Sequence, residues 1–457
     1  MKDTKQRMEF FSFYNHTGIE EHLSKMAQKG WMIESITNVS WTYRKIEPKK
    51  ICFTASYYPR ASDFDPEPTE EQKEFNDYCA RTGWQYVCSW FQMQIFCNEA
   101  ENPLPLDTDP IMEVDNIHRA CKKNFLIGYW LLFALGFVTS AYSLAGIYFV
   151  PIDRLAYTNK IVILLAWFSL FALALVELLA YYVWFGKAKK AARNGTFVNT
   201  PSTSKFQKGI IVFLLVVLVA WFRNLFAAGD SLMLIVAIVN FFIVFGTIFF
   251  VNFIKQGLKK VKASRGMNRF LTFSACFILP VIFTTALVFG GITAAGKGWF
   301  TNKIAEQEKI PLSVSDFFDV DELKYVQQDR NNQTFIMGHR VVHMYDDWNI
   351  EGSHMLPDLQ YTITTIKIPF FYERAKAQMY RDLDETDETD IPVGHRLVYK
   401  EVDASAWGAN EVHQIFNEEG YSLNWYLLCY DNAIIEIRFD WEPTTDDMAI
   451  VNQKLNP

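Results

Sequence analysis

The spacing of apolar and polar positions divides the chain into three regions. In the first, Ile19, Leu23, Met26 and Ala27 recur three and four residues apart, as one stripe on a helix, and Phe75, Tyr78 and Cys79 repeat the spacing. Strand-like segments surround both: "MEFFSFYN" before the first helix, then "WMIESITN", "SWTYRKIE" and "ICFTASYY", and after the second helix "WQYVCSWF" and "MQIFCNE". Their alternation and their wealth of Tyr, Phe, Trp, Ile and Thr fit half-buried strands. Thr17-x-x-Glu20 and Thr69-x-x-Gln72 have capping-box spacing at the helix starts. Gly30 and Gly83 follow where a left-handed residue ends a helix, and Trp31 and Trp84 come next, placed to pack back over each stripe. The pattern predicts two helix-then-strands units in residues 1–102, one α+β domain with helices on one face of an antiparallel sheet. "NPLPLDTDP" opens a linker expected over residues 103–123.

The second region, residues 124–296, is almost continuously apolar. Five runs, at 125–149, 161–185, 209–227, 231–254 and 270–294, each approach the roughly 20 residues that cross a hydrocarbon core about 30 Å thick. They predict an all-α membrane domain of five transmembrane helices. No charged stretch with a short apolar core opens the chain, so the first run is expected to serve as the insertion signal. Basic residues alternate along the connections: three in "HRACKKN", two in "PIDRLAYTNK", six in "GKAKKAARNGTFVNTPSTSKFQK", none in "AAGD" and six in "KQGLKKVKASRGMNR". By the positive-inside rule this places the N-terminus in the cytoplasm and the C-terminus outside the cell membrane. The third region, residues 297–457, reverts to mixed periods. "FIMGHRVVHMY", "YTITTIKIP", "HRLVYKEV", "LNWYLLCYD" and "AIIEIRFDW" read as strands, and "FFYERAKAQMYRDL" and "TTDDMAIVNQKL" as helices, giving a C-terminal α+β domain on the outer side.

Charge sharpens the division. The 457-residue chain has formal net charge −7, but the three regions carry −4, +12 and −15. An acidic outer domain disfavours polyanionic partners, so no nucleic acid is expected. Cys52, Cys79, Cys88, Cys97 and Cys121 precede the membrane, Cys276 lies in it and Cys429 stands alone beyond it, with no Cys-x-x-Cys pair. Packed thiols are expected rather than a zinc site or an internal disulfide.

Several motifs suggest chemistry. His339 and His343, with Asp346, Asp347 and His354 nearby, have ligand-type side chains, but Val341 and Val342 favour a strand and the glutamate of a His-Glu-x-x-His helix is missing. The run Asp384–Asp390 lacks the glycine of a calcium loop and reads as a solvated acidic loop. Gly291-x-x-x-x-Gly296-Lys297 copies phosphate-loop spacing, yet Gly298 replaces the magnesium-binding hydroxyl and no strand precedes it. No metal, cofactor or catalytic set is therefore expected, and no enzyme. Glu177 and Arg223 are the costly residues inside the bilayer, candidates for an intramembrane role such as coupling or a polar cavity; the competing readings are a packed, hydrogen-bonded Glu177 and an Arg223 snorkelling to the interface beside Asp230. The basic loops would be drawn to anionic lipid, or serve orientation alone.

The stretches "IEEHLSKMAQKGWMIE", "SWTYRKIEPKKICFTASYYP" and "FNDYCARTGWQYV" resemble the bacterial family catalogued as domain of unknown function 2812, over about the first 100 residues. The resemblance implies a multi-pass membrane part and genes associated with PadR-type regulators, hence envelope stress or drug response, and it supplies no catalytic residues. Two functional classes follow: a sensory or regulatory protein with a protein partner at the cytoplasmic domain and a ligand or protein at the outer one, or an accessory subunit of a transporter or resistance complex. Either has the lipid bilayer as a partner.

Overall fold

The computed structural model describes residues 3–37, 40–227, 231–296, 310–346, 356–390, 397–417 and 419–456. The chain forms two compact units, Met1–Val138 with Ala166–Thr301, and Thr139–Leu165 with Asn302–Pro457.

The first unit opens with a duplication. β1 (Thr4–Arg7), α1 (His16–Gln28), β2 (Trp31–Ile36) and β3 (Trp41–Lys45) are followed by β4 (Cys52–Tyr57), α2 (Glu70–Arg81), β5 (Gln85–Trp90) and β6 (Met93–Asn98). Each set of three strands makes its own antiparallel sheet, in the equivalent orders β1-β3-β2 and β4-β6-β5. The single sheet expected from sequence is thus two. Gly30 and Gly83 have φ of +81° and +89°, and each is followed four residues later by a bulge residue, Glu34 and Val87, that has no register partner. A side chain at Gly30 would place its Cβ 2.9 Å from the Ile46 carbonyl, so glycine is required there by space as well as by φ.

The two tryptophans diverge. Trp84 is buried with Cys79, Phe75 and Phe96, and its indole donates to the Leu104 carbonyl at 2.9 Å. Trp31 is half-buried at the edge of the main core, with the Lys5 ammonium 5.3 Å from its ring. The helix starts diverge too. Thr69 caps α2 through the Gln72 amide, but α1 is capped earlier than expected, by Asn15 in place of Thr17, and the Asn15 side chain accepts from the Gly18 amide. Gly18 makes room for that cap: a Cβ there would fall 2.6 Å from Asn15 Oδ1. Thr17 is left free for another partner. "MEFFSFYN" is not a strand; β1 lies earlier, paired to β3, and residues 8–15 form an irregular connection whose Ser12, Phe13, Tyr14 and Asn15 are buried.

Of the stretch expected as a linker, residues 110–123 are helical. α3 (Pro110–Lys123) starts on an Asp109 cap with proline in its first turn, and buries Ile117, Ala120 and Cys121 in the core that α1 and both sheets share. Beyond it run α4 (Phe125–Phe149), α6 (Thr158–Ala192), α7 (Ser204–Ala227), α8 (Ser231–Lys260) and α9 (Arg265–Gly296), five helices long and apolar enough to cross a membrane. Large side chains such as Phe242, Phe253 and Phe277 are exposed along them, as a lipid-facing surface requires. The near phosphate loop lies in α9 as far as Gly296, so it is helix and not a loop; Lys297 and Gly298 fall outside the described residues.

The second unit is built on a seven-stranded antiparallel sheet, in the order β10-β11-β12-β13-β9-β8-β7. Its strands are β7 (Tyr325–Gln333), β8 (Met337–Asp346), β9 (Leu359–Ile366), β10 (Val398–Val402), β11 (Glu411–Phe416), β12 (Ser422–Cys429) and β13 (Ala433–Phe439). β7 and β11 lack an alternating apolar pattern and escape a reading by period. One face packs with α11 (Thr445–Leu455), Leu312 and Trp407. The other packs with α10 (Tyr372–Asp390) and with Ile152 and Leu155 of the short α5 (Pro151–Leu155), which joins α4 to α6. α10 continues through the acidic run expected as a loop. Cys429 is buried, and the described cysteines are all unpaired thiols.

Candidate functional site

In both copies of the duplicated unit, the connection between the first strand and the helix reaches the membrane helices. In the first copy this is residues 8–15. Ser12 Oγ donates to Glu177 Oε2 at 2.6 Å and lies 2.9 Å from Thr203 Oγ1. Gln207, in the first turn of α7, donates through Nε2 to Glu177 Oε1 at 2.8 Å, and lies 3.1 Å from both Ser12 Oγ and Thr203 Oγ1. Glu177 is 0 % exposed and the other three are at most 9 % exposed. A buried carboxylate is tolerated when donors converge on it, and here Ser12 and Gln207 reach it from two separate chain segments. Tyr14, Tyr181 and Trp184 wall the node, with Tyr14 ring centroids 5.2 and 5.5 Å from the other two. Beside it, Thr17 Oγ1 meets Thr200 Oγ1 at 2.6 Å, Thr200 donates to the Asn15 cap at 2.7 Å, and the Trp184 indole donates to the Val198 carbonyl.

Glu177 stands 19 residues along α6, about 28 Å from its start at 1.5 Å per residue, where a hydrocarbon core about 30 Å thick ends. Arg223 is exposed, and lies 16 residues beyond Gln207 on α7, about 24 Å farther along the axis. The structure does not bring the two intramembrane candidates together; Asp230 lies outside the described residues.

The second connection, residues 58–69, binds by ion pairs. Asp63 meets Lys255 at 2.6 Å and Lys259 at 3.2 Å, both on α8. Asp65 accepts two hydrogen bonds from the Arg265 guanidinium, at 2.5 and 2.7 Å, and Glu67 pairs with Lys262 at 2.6 Å. Asn268, fully buried on α9, donates to the Phe64 carbonyl at 3.2 Å. The basic loop thus has carboxylate partners within the protein. Opposite runs "DFDPE" and "KQGLKKVKASR" carry this seam in the sequence, but nothing in their spacing joins them.

Between the two, His16 of α1 bonds Glu113 of α3 at 3.0 Å. Burial draws its imidazole down, but the Glu113 hydrogen bond and the charges of Glu20 and Glu113 outweigh it and hold the ring above its ordinary value. Burial raises the carboxyls of Glu20 and Asp107 nearby. In the second unit, His339 and His343 both lie on β8, and a four-residue spacing along a strand is about 13 Å, too far for one ion. His339 instead meets Thr364 Oγ1 at 3.1 Å, and His343 packs on Tyr345; Asp347 and His354 lie outside the described residues. Among the described residues no three His, Cys, Asp or Glu side chains are arranged to hold a metal.

No curated protein and no solved structure matches the chain. Residues 15–130, from the Asn15 cap through α3 into the first turns of α4, match the model of the family described as a protein of unknown function, DUF2812, so the N-terminal domain is the part of this multi-pass membrane protein that carries that family.

Proposed function

We propose that the protein is a membrane-bound regulator in which the N-terminal domain reads the state of the helices on which it sits. The observation that carries this reading is the Glu177 node: a loop of the domain, α6 and the start of α7 share one buried set of hydrogen bonds, so a shift of either helix is felt at Ser12. The reading assigns no reaction to the chain. It places the N-terminal domain in the cytoplasm and the C-terminal domain outside. Contacts within each unit support the five crossings: residues 198–203 and 262–265 touch the N-terminal domain, whereas residues 152–155 pack with the C-terminal sheet, the alternation expected of successive loops. The outer domain then receives the ligand or partner, and the cytoplasmic domain passes the change to a protein.

The test is quantitative affinity purification of the full chain beside a Glu177→Leu variant. Recovery of a cytoplasmic regulatory protein that changes at least severalfold between the two supports the reading. Recovery of a transport ATPase equally by both makes the chain an accessory subunit and overturns it.

A further inference from the structure

Next to the node, a groove of about 540 Å³ opens between the N-terminal domain and the beginning of the first span. Its volume falls in the range of small-molecule sites, about 300–1,000 Å³. Phe13 and Phe91 form the domain side, and Tyr129, Leu132 and Leu173 the side of α4 and α6. Ile127, which also lines it, is 63 % exposed on the lipid-facing surface of α4, so the groove opens onto the bilayer. Gly128 also lines it, and a Cβ there would meet no atom within 4 Å. Phe91 is the first residue of the two-residue β5–β6 turn and has φ of +54°, a backbone that glycine adopts cheaply and phenylalanine does not. The ring held there packs both on Trp90 of its own hairpin and on Phe13 at the groove, 6.2 Å from each. The polar end is basic. Lys123, the last residue of α3, lines the groove where the helix ends and the apolar span begins; its ammonium donates to the Pro59 carbonyl at 2.6 Å and keeps two further N–H donors.

An apolar slot continuous with the bilayer, with an ammonium group at its headgroup level, is complementary to one amphiphile. We propose that this groove holds an acyl chain of an anionic phospholipid from the adjoining leaflet, with the phosphate at Lys123. Ser12 lines the same groove and donates to Glu177, so the bound chain touches the node directly. The site stands independently of whether the domain is regulatory.

The test uses the full chain in phosphatidylcholine vesicles containing a phosphatidylglycerol that carries a diazirine in mid-chain, with labelled residues located by mass spectrometry. Label should concentrate on Phe91, Tyr129 and Leu132, at least fivefold above the lipid-facing residues of α8, and Gly128→Phe should remove that excess while α8 labelling stays constant. Lys123→Gln, at an exposed position, should lower labelling by the anionic probe severalfold and leave that by a phosphatidylcholine probe unchanged, the unchanged arm showing that loss of its bond to Pro59 has not closed the groove. Even labelling around the helices overturns the site. Equal labelling of the groove by both probes, unaffected by Lys123→Gln, overturns the anionic ligand and leaves an unselective apolar slot.

Discussion

The two copies of the duplicated unit grip the membrane helices at equivalent places by unlike means. In the first, an aromatic connection buries Ser12 against a carboxylate with 0 % exposure, and the hydrogen bonds run among Ser12, Glu177, Thr203 and Gln207. In the second, a proline-rich acidic connection lays Asp63, Asp65 and Glu67 against Lys255, Lys259, Lys262 and Arg265, whose side chains are between 19 and 71 % exposed. Water screens the second seam and is excluded from the first. A buried hydrogen-bonded acid is expensive to leave half-paired, whereas a solvated ion pair contributes little and is easily exchanged. The first seam is thus a specific joint, and the second a soft one that holds the domain against the basic loop.

The comparison breaks most readily at Ser12. Ser12→Ala strips Glu177 Oε2 of its donor while leaving the carboxylate buried, which should weaken the seam by about 2–3 kcal/mol. Hydrogen exchange across residues 8–17 reads this directly, and a change below about 0.5 kcal/mol would refute the joint. Adding Glu177→Leu should recover part of the loss, because the orphaned acid is then gone. The double-mutant cycle is expected to be strongly non-additive, as for groups in one network.

At the second seam the expected loss is smaller. Asp65→Asn removes the two-pronged contact to Arg265, whose side chain is 47 % exposed, and should cost roughly 1 kcal/mol at low salt. In about 1 M salt the screening length falls to roughly 3 Å, so wild type and variant should converge in exchange at residues 60–68. Exchange at residues 8–17 should not respond to salt. A parallel salt response at both places would erase the distinction drawn between them.

How far the sequence discloses this arrangement depends on the range of the interaction. The duplication is visible because its signals are local: a capped apolar stripe, then Gly30-Trp31 or Gly83-Trp84, each fixed by a backbone that needs positive φ. The five spans are visible because length and apolarity suffice to define them. The seams are not, since Ser12 and Glu177 lie 165 residues apart and Asp65 and Arg265 lie 200 apart, with no periodicity linking them. Glu177 stands out in the sequence as an acid in an apolar run, but its partners Ser12 and Gln207 do not. The cap on α1 is missed for a related reason. Thr17 offers the familiar spacing, yet its hydroxyl is taken by Thr200, and Asn15 caps through the gap that Gly18 leaves.

The smallest expected effect lies where α1 meets α3, and it discriminates by pH instead of salt. His16 has its proton affinity raised in the fold, chiefly through Glu113 on α3 and Glu20 on its own helix, against the opposing pull of burial. A cationic group with a raised folded value adds stability that is complete below its ordinary value of 6.5 and disappears as pH climbs through the folded value. The buried carboxyl of Glu20, also raised, acts in the same direction at lower pH, since the fold prefers its protonated form. Contact between α1 and α3 should therefore loosen on the alkaline side of neutrality, with protection factors in residues 110–123, exchange corrected for its intrinsic base catalysis, falling about threefold. His16→Asn should flatten that fall without touching the salt response at residues 60–68. If protection at α3 instead rose with pH, the proton would be destabilising the contact, and the sign assigned to the His16–Glu113 pair would be wrong.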